Sequence, residues 1–268
     1  MVVPSCHIGL SSFRQTGSNA QGISNKLVGY LGTYADWPGG CLASMRQRVK
    51  VRKRLCEQHL RTLSEISRAL GEKDRYTQTH GYRVSLYAMR LARRLGFSPE
   101  EIRNVGIGGL FHDVGKLALS DRIFTNRETH LPSDLQQEVR CHPLIGAALL
   151  KDIDFIKPAV DFVLFHHEQE DGNGYPFGLR AGEIPPGAKI VSIADCFDAV
   201  TTDRPYQKGQ SVVSAYEILR EGCRRFFCEE YVETFIEEIE ENGIIQGTCF
   251  DPRLADELVR SAAGCSAR

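Results

Sequence analysis

From about residue 72 to residue 245, apolar residues recur at spacings of three and four in one segment after another, and strand-like alternation is scarce. Val84, Ala88, Leu91 and Leu95 mark one helical face. Pro99, Glu100 and Glu101 open the next helix, with Ser98 as its cap and Glu101 completing a capping box. Further helices are expected at 136–150, 158–166, 186–200, 212–219 and 229–241. No repeat at a solenoid period is present. The pattern predicts an all-α helical bundle, whose core is a natural place for a metal site built from several helices.

The flanks differ from this domain. Residues 1–44 are rich in Gly and Ser and contain the breaker cluster Trp37-Pro38-Gly39-Gly40, so a poorly ordered extension is expected there. Residues 45–71 read as a basic amphipathic helix: Arg46, Arg48, Lys50, Arg52, Lys53 and Arg54 lead into the stripe Leu60, Leu63, Ile66 and Leu70. The charge run is read as a solvated face. The main domain is expected over 72–245, with 246–268 as a C-terminal tail.

Composition narrows the partners. A formal net charge of -1 over 268 residues gives no global signal for a nucleic acid polymer. A phosphate-bearing ligand must then be held by a local cluster or by metal. The nine cysteines form no Cys-x-x-Cys pair, so neither a disulfide framework nor a thiolate zinc site is indicated, and they read as reduced thiols of a cytoplasmic protein. The first ten residues make a poor signal peptide, and no apolar run approaches the roughly 20 residues of a membrane helix, so no membrane association is expected.

The residues that carry chemistry are, in chain order, His80, His112-Asp113, Lys116, His142, His166-His167 and Asp195. Imidazole with carboxylate suits iron, manganese or zinc, and the absence of thiolates argues against a structural zinc. The set exceeds what one ion takes from protein. Two ions about 3.5–4 Å apart would use it well, clamping both attacking and leaving oxygens of a phosphoryl displacement. A single histidine is more often a satisfied core or surface residue, and His7, His59 and His130 keep that reading. The pair His112-Asp113 follows an apolar helix over 105–111, where an ionised Asp needs a compensating cation.

The ordered motifs resemble the HD superfamily of metal-dependent phosphohydrolases, and within it the HD-GYP branch. The matching text is His80-Gly81-Tyr82-Arg83-Val84, His112-Asp113-Val114-Gly115-Lys116 and His142-Pro143-Leu144-Ile145-Gly146. It continues through His166-His167-Glu168 to Asp171-Gly172-Asn173-Gly174-Tyr175-Pro176, and closes with Asp195, Asp198, Asp203-Arg204-Pro205-Tyr206. The resemblance implies an HD-superfamily bundle with a binuclear site in its core. It implies that His112 and Asp195 hold one metal, that His142, His166 and His167 hold the other, and that Asp113 bridges them. His80 is a further candidate ligand. The position four residues before it, a carboxylate where relatives carry a third metal, is Tyr76, so two ions, iron or manganese, are expected.

By the same resemblance Asp113 and Lys116 are catalytic, and Lys116, Tyr175, Arg204 and Lys208 meet substrate. Tyr175 is expected to be an exposed aromatic beside the metals. Its alternative reading is a structural tyrosine anchoring the loop. For Arg204 the alternative is an ion pair with Asp198 or Asp203. Glu168 is expected either to orient a ligand histidine or to form a loop salt bridge. The implied activity is hydrolysis of cyclic di-GMP to pGpG or GMP in bacterial second-messenger signalling. The alternatives are an HD-type phosphohydrolase acting on another nucleotide, or a non-catalytic module that docks on a GGDEF-type cyclase; a GGDEF-domain partner at the Gly174-Tyr175-Pro176 loop and a homodimer are further expectations.

Overall fold

The computed structural model describes residues 68–125, 132–203 and 208–245, with isolated positions between 54 and 66. The expectations for residues 1–44, for the 246–268 tail, and for His7, His130 and Arg204 lie outside these residues. The described chain forms α1 (Arg75–Arg94), α2 (Pro99–Phe111), α3 (Asp121–Thr125), α4 (Ser133–Val139), α5 (His142–Leu150), α6 (Lys157–Phe165), α7 (Pro186–Thr201), α8 (Val212–Glu221) and α9 (Glu229–Asn242). Short 3-10 turns lie at Val114–Ala118 and Asp154–Ile156. Among the described residues the only β-type pairings are isolated bridges, Asp171 with Arg180 and Cys223 with Phe227. The all-α expectation holds.

Local chemistry sets the helix starts. Asp74 ends the helical run over 68–73 and caps α1, its carboxylate accepting from the N–H groups of Tyr76 and Thr77. Ser98 and Glu101 form the expected capping box, with Pro99 in the first turn of α2. Every residue from Asn104 to Phe111 is buried, because α2 runs between two apolar clusters. One holds Val84, Leu91, Val105, Ile190, Phe197 and Phe235. The other holds Leu63, Ile107, Phe111, Val114, Leu150 and Val163. Each such side chain contributes about 1.5–3 kcal/mol on leaving water. Leu63, from the basic amphipathic segment, is therefore part of the domain's own core.

The single helix expected over 136–150 is two. α4 ends at Val139, and α5 starts at His142 after a turn at Arg140 and Cys141. The cause is Pro143, which has no N–H for the Val139 carbonyl that a continuous helix would require it to meet. The break frees that carbonyl for another donor and turns Arg140 outward.

Candidate metal centre

The centre is assembled where helices end. His112 is the C-terminal cap of α2, and His166 that of α6. His142 is the first residue of α5, Asp195 lies within α7, and His80 lies within α1. At three of these positions a carbonyl that would have stayed in the helix ladder is free, and a histidine takes it. Nδ1 of His112 lies 2.7 Å from the Gly109 carbonyl, Nδ1 of His142 lies 2.7 Å from that of Val139, and Nδ1 of His166 lies 2.8 Å from that of Val163. A carbonyl only accepts, so each Nδ1 carries a proton, and a ring so held turns Nε2, its lone-pair nitrogen when the ring is neutral, away from the helix end. This is how a histidine is oriented for a metal.

Those lone pairs converge. Nε2 of His142 is 3.3 Å from Nε2 of His166. Asp113 turns one carboxylate oxygen to each side: Oδ2 is 3.3 Å from His112 Nε2, and Oδ1 is 3.3 Å from His142 Nε2. His112 Nε2 is buried and makes no hydrogen bond. Acceptors that face acceptors in a buried space have no stabilising partner among themselves; a cation supplies one. Two groups of donor atoms each gather within 4.8 Å, one of His142, His166 and His167, the other of His80, His112 and Asp113. The donor set therefore fits divalent metal, on nitrogen and oxygen ligands alone.

Electrostatics agree with that reading. Burial lowers the pKa of His142 to about 4 and that of His167 to about 3, and pushes His166 down as well, so these rings stay neutral. Burial disfavours the Asp113 carboxylate, yet the Lys116 ammonium, 2.7 Å from Oδ2, holds its pKa well below the ordinary range. His80 behaves differently. Burial opposes its charge, but hydrogen bonds to Asp195 (2.9 Å) and Asp198 (2.7 Å) outweigh it and raise its pKa to about 9. Asp198 is gripped from its other edge by Arg83, at 2.6 and 2.9 Å. Tyr76 stacks on the His80 ring at 5.7 Å between centroids.

The sequence expectations fare unevenly in detail. His112, Asp113, His142, His166 and His167 come together as proposed ligands, whereas His80 groups with His112 and Asp113 but has both ring nitrogens on carboxylates, Asp195 and Asp198. Asp195 reaches that group through His80 and lies 3.7 Å from His112 Nε2. Tyr175 is half-buried rather than exposed, with its ring stacked 4.7 Å from that of His167. Glu168 contacts no ligand histidine through its hydrogen bonds. It is buried, and its two oxygens accept from the N–H groups of Phe177 and Leu179, which pins the loop after Tyr175-Pro176, a cis peptide. Lys208 sits in an exposed ion pair with Asp203 at 2.7 Å. Asp198 and Asp203, the carboxylates considered for Arg204, are thus both engaged by other cations. Sequence reasoning assigned no role to the Arg83–Asp198 pair. Its one signal was a charge on the same face of α1 as His80 and Val84.

Two glycines let the elements close on one another. A side chain at Gly115 would begin 1.9 Å from the His142 carbonyl, so the turn carrying Lys116 packs directly on the start of α5. A side chain at Gly174 would begin 2.4–2.6 Å from the backbone of His167, Glu168 and Gln169, so the loop folds back over the histidine pair.

The family model for the HD domain matches residues 47–227, and the chain belongs to that family. Within it, the ordered motifs through Gly174-Tyr175-Pro176 place the chain in the HD-GYP branch. Among curated relatives, it is 38% identical over 158 residues to "Cyclic di-GMP phosphodiesterase PA4108" of Pseudomonas aeruginosa, covering 59% of this chain and 38% of that one. It is 33% identical over 223 residues to "Cyclic di-GMP phosphodiesterase response regulator RpfG" of Xanthomonas campestris pv. campestris, covering 82% of this chain and 53% of that one. The chain thus spans about half or less of the length of these relatives. Among solved structures it resembles Bd1817, an HDG"Y"P protein from Bdellovibrio bacteriovorus, with a TM-score of 0.51 and 25% identity over 61% of this chain and 52% of that one. No described helix is long and apolar enough to cross a membrane.

Proposed function

We propose that this chain is a metal-dependent phosphodiesterase that hydrolyses cyclic di-GMP to pGpG, GMP or both. The observation that carries the reading is Asp113, whose two oxygens serve two different histidine groups at equal distance. A carboxylate so placed could serve two ions at once. Iron or manganese suit its imidazole and carboxylate donors. His142, His166, His167 and Asp113 would hold one ion, and His112, Asp113 and Asp195, with His80 beside them, the other. When bound, such a pair lowers the pKa of the attacking water and neutralises charge on the phosphate oxygens.

The chain's own residues do the rest. Lys116 donates to Asp113 Oδ2 at 2.7 Å and is part-exposed, so its ammonium can also meet a non-bridging phosphate oxygen as charge builds there. Burial, with Asp113 close by, keeps the Tyr175 phenol protonated, a hydrogen-bond donor on a flat ring beside His167. Arg204 is proposed to grip phosphate or base by its planar fork. Lys208 would have to leave Asp203 to join it.

The test is a product assay. Anaerobically prepared, metal-loaded protein is incubated with cyclic di-GMP and the products are separated by chromatography. Accumulation of pGpG or GMP is expected. Fully loaded protein that leaves cyclic di-GMP intact while cleaving another nucleotide would overturn the substrate assignment.

A further inference from the structure

The break between α4 and α5 leaves Arg140 two residues before His142, exposed, with its guanidinium carbon 5.1 Å from the centre of the Tyr175 ring. Tyr175 in turn stacks on His167 at an interplanar angle of 27°. Imidazole, phenol and guanidinium thus form a graded stack that starts at a proposed metal ligand and ends in solvent. Arg83, Arg90 and Arg94 are tied up by carboxylates. Among the described residues, no carboxylate pairs with Arg140. Its guanidinium carbon lies over an aromatic ring, a contact that does not use up its N–H donors.

That arrangement has a chemical consequence. The carboxylates of the centre, Asp113 and Asp195, would be neutralised by metal, whereas a cyclic dinucleotide carries a second phosphate away from the reacting one. A cation presented on a rigid platform beside the centre suits that second charge. We propose that Arg140 is a substrate-binding residue that holds the non-reacting phosphate of the cyclic dinucleotide, with Tyr175 fixing the direction of its guanidinium. This rests on the function proposed above. It adds a residue that lies in none of the matched motifs and that precedes one of them by two positions.

The experiment measures KM and kcat for cyclic di-GMP and cyclic GMP-AMP on the metal-loaded chain, for wild type, Arg140→Ala, Arg140→Lys and Tyr175→Leu, with metal content measured in each. A lost charge-assisted contact to phosphate predicts a KM roughly ten- to hundredfold higher for Arg140→Ala, with kcat and metal content kept. Arg140→Lys should recover part of that loss, since an ammonium still meets phosphate as a point charge. Tyr175→Leu should raise KM in the same direction, and combining it with Arg140→Ala should add less than the sum of the two, as for groups that act together. The rise should be the same for both substrates, because phosphate is common to them. An unchanged KM in Arg140→Ala, a fall in kcat with metal loss, or a KM rise specific to one base identity would each overturn the phosphate assignment and leave the proposed function standing. Wild-type protein that neither binds nor cleaves either dinucleotide would overturn both.

Discussion

Nε2 of His142 and Nε2 of His166 face each other at 3.3 Å, each on a ring whose Nδ1 proton is already given to a backbone carbonyl. Two lone pairs at that separation repel, and nothing in the fold forces the rings to meet except the way α4 and α6 end. The helix ends point the rings inward, and a cation would be the stabilising partner for both. Four consequences can be measured.

Asp113 serves both histidine groups, so Asp113→Asn should lower metal content and turnover together while the helical fold survives. The loss of turnover should exceed the ~10–100-fold typical of removing an outer partner of a metal ligand. Circular dichroism, metal analysis and rate measured on one preparation check this. Wild-type turnover with normal metal content would contradict it.

Lys116→Ala should keep most bound metal and lower kcat by about a hundredfold, the scale of losing one donor to developing charge. An effect confined to KM would instead assign Lys116 to binding shared by ground state and transition state.

Gly115→Ala places a carbon where only 1.9 Å separates it from the His142 carbonyl, a backbone atom that cannot swing away. The variant should lose about 3 kcal/mol or more of stability, at the upper end for overpacking, and bind metal more weakly because His142 must move. Urea unfolding and a metal titration read the two effects separately. An unchanged midpoint with unchanged affinity would mean that the turn and α5 do not pack as described.

The metal-free chain should be most stable near neutral pH. His142 and His167 have folded pKa values of about 4 and about 3, below the unfolded value of 6.5. As pH falls below 6.5 the unfolded chain takes up protons first, so their contribution, complete above 6.5, is lost toward pH 4. The slope is about 1.4 kcal/mol per pH unit for each proton. His80, raised from 6.5 to about 9, acts with the opposite sign: its contribution is complete below 6.5 and is lost as pH rises through 9. Urea midpoints of chelator-treated protein at pH 5, 6.5 and 9 should therefore be highest in the middle. A midpoint that does not drop from 6.5 to 5 contradicts the buried neutral rings, and one that does not drop from 6.5 to 9 contradicts the charged His80.

Much of this was legible in the sequence, for identifiable reasons. Helical periodicity and the capping box at Ser98 and Glu101 are local signals, and they fixed the helix class and the start of α2. The proposed ligand residues were legible because their types and order match a family, not because spacing alone brings them together. What was not legible depends on tertiary contact. The split of 136–150 follows from Pro143, a local signal that apolar periodicity overrode. The role of Glu168 depends on where the loop returns, nine and eleven residues later in the hydrogen bonds to Phe177 and Leu179. The Arg83–Asp198 grip on His80 joins residues 115 apart in the chain, beyond the reach of any pattern. Arg140 over Tyr175 arises only once the turn at Arg140 and Cys141 and the loop carrying Tyr175 are both in place.

Asp113 is proposed to join a pair of ions, and elemental analysis of anaerobically purified wild-type chain counts them. About two equivalents of iron or manganese per chain are predicted from the two donor groups that Asp113 joins. A single equivalent of zinc, or no metal in protein that is folded and was never exposed to chelator, would contradict it.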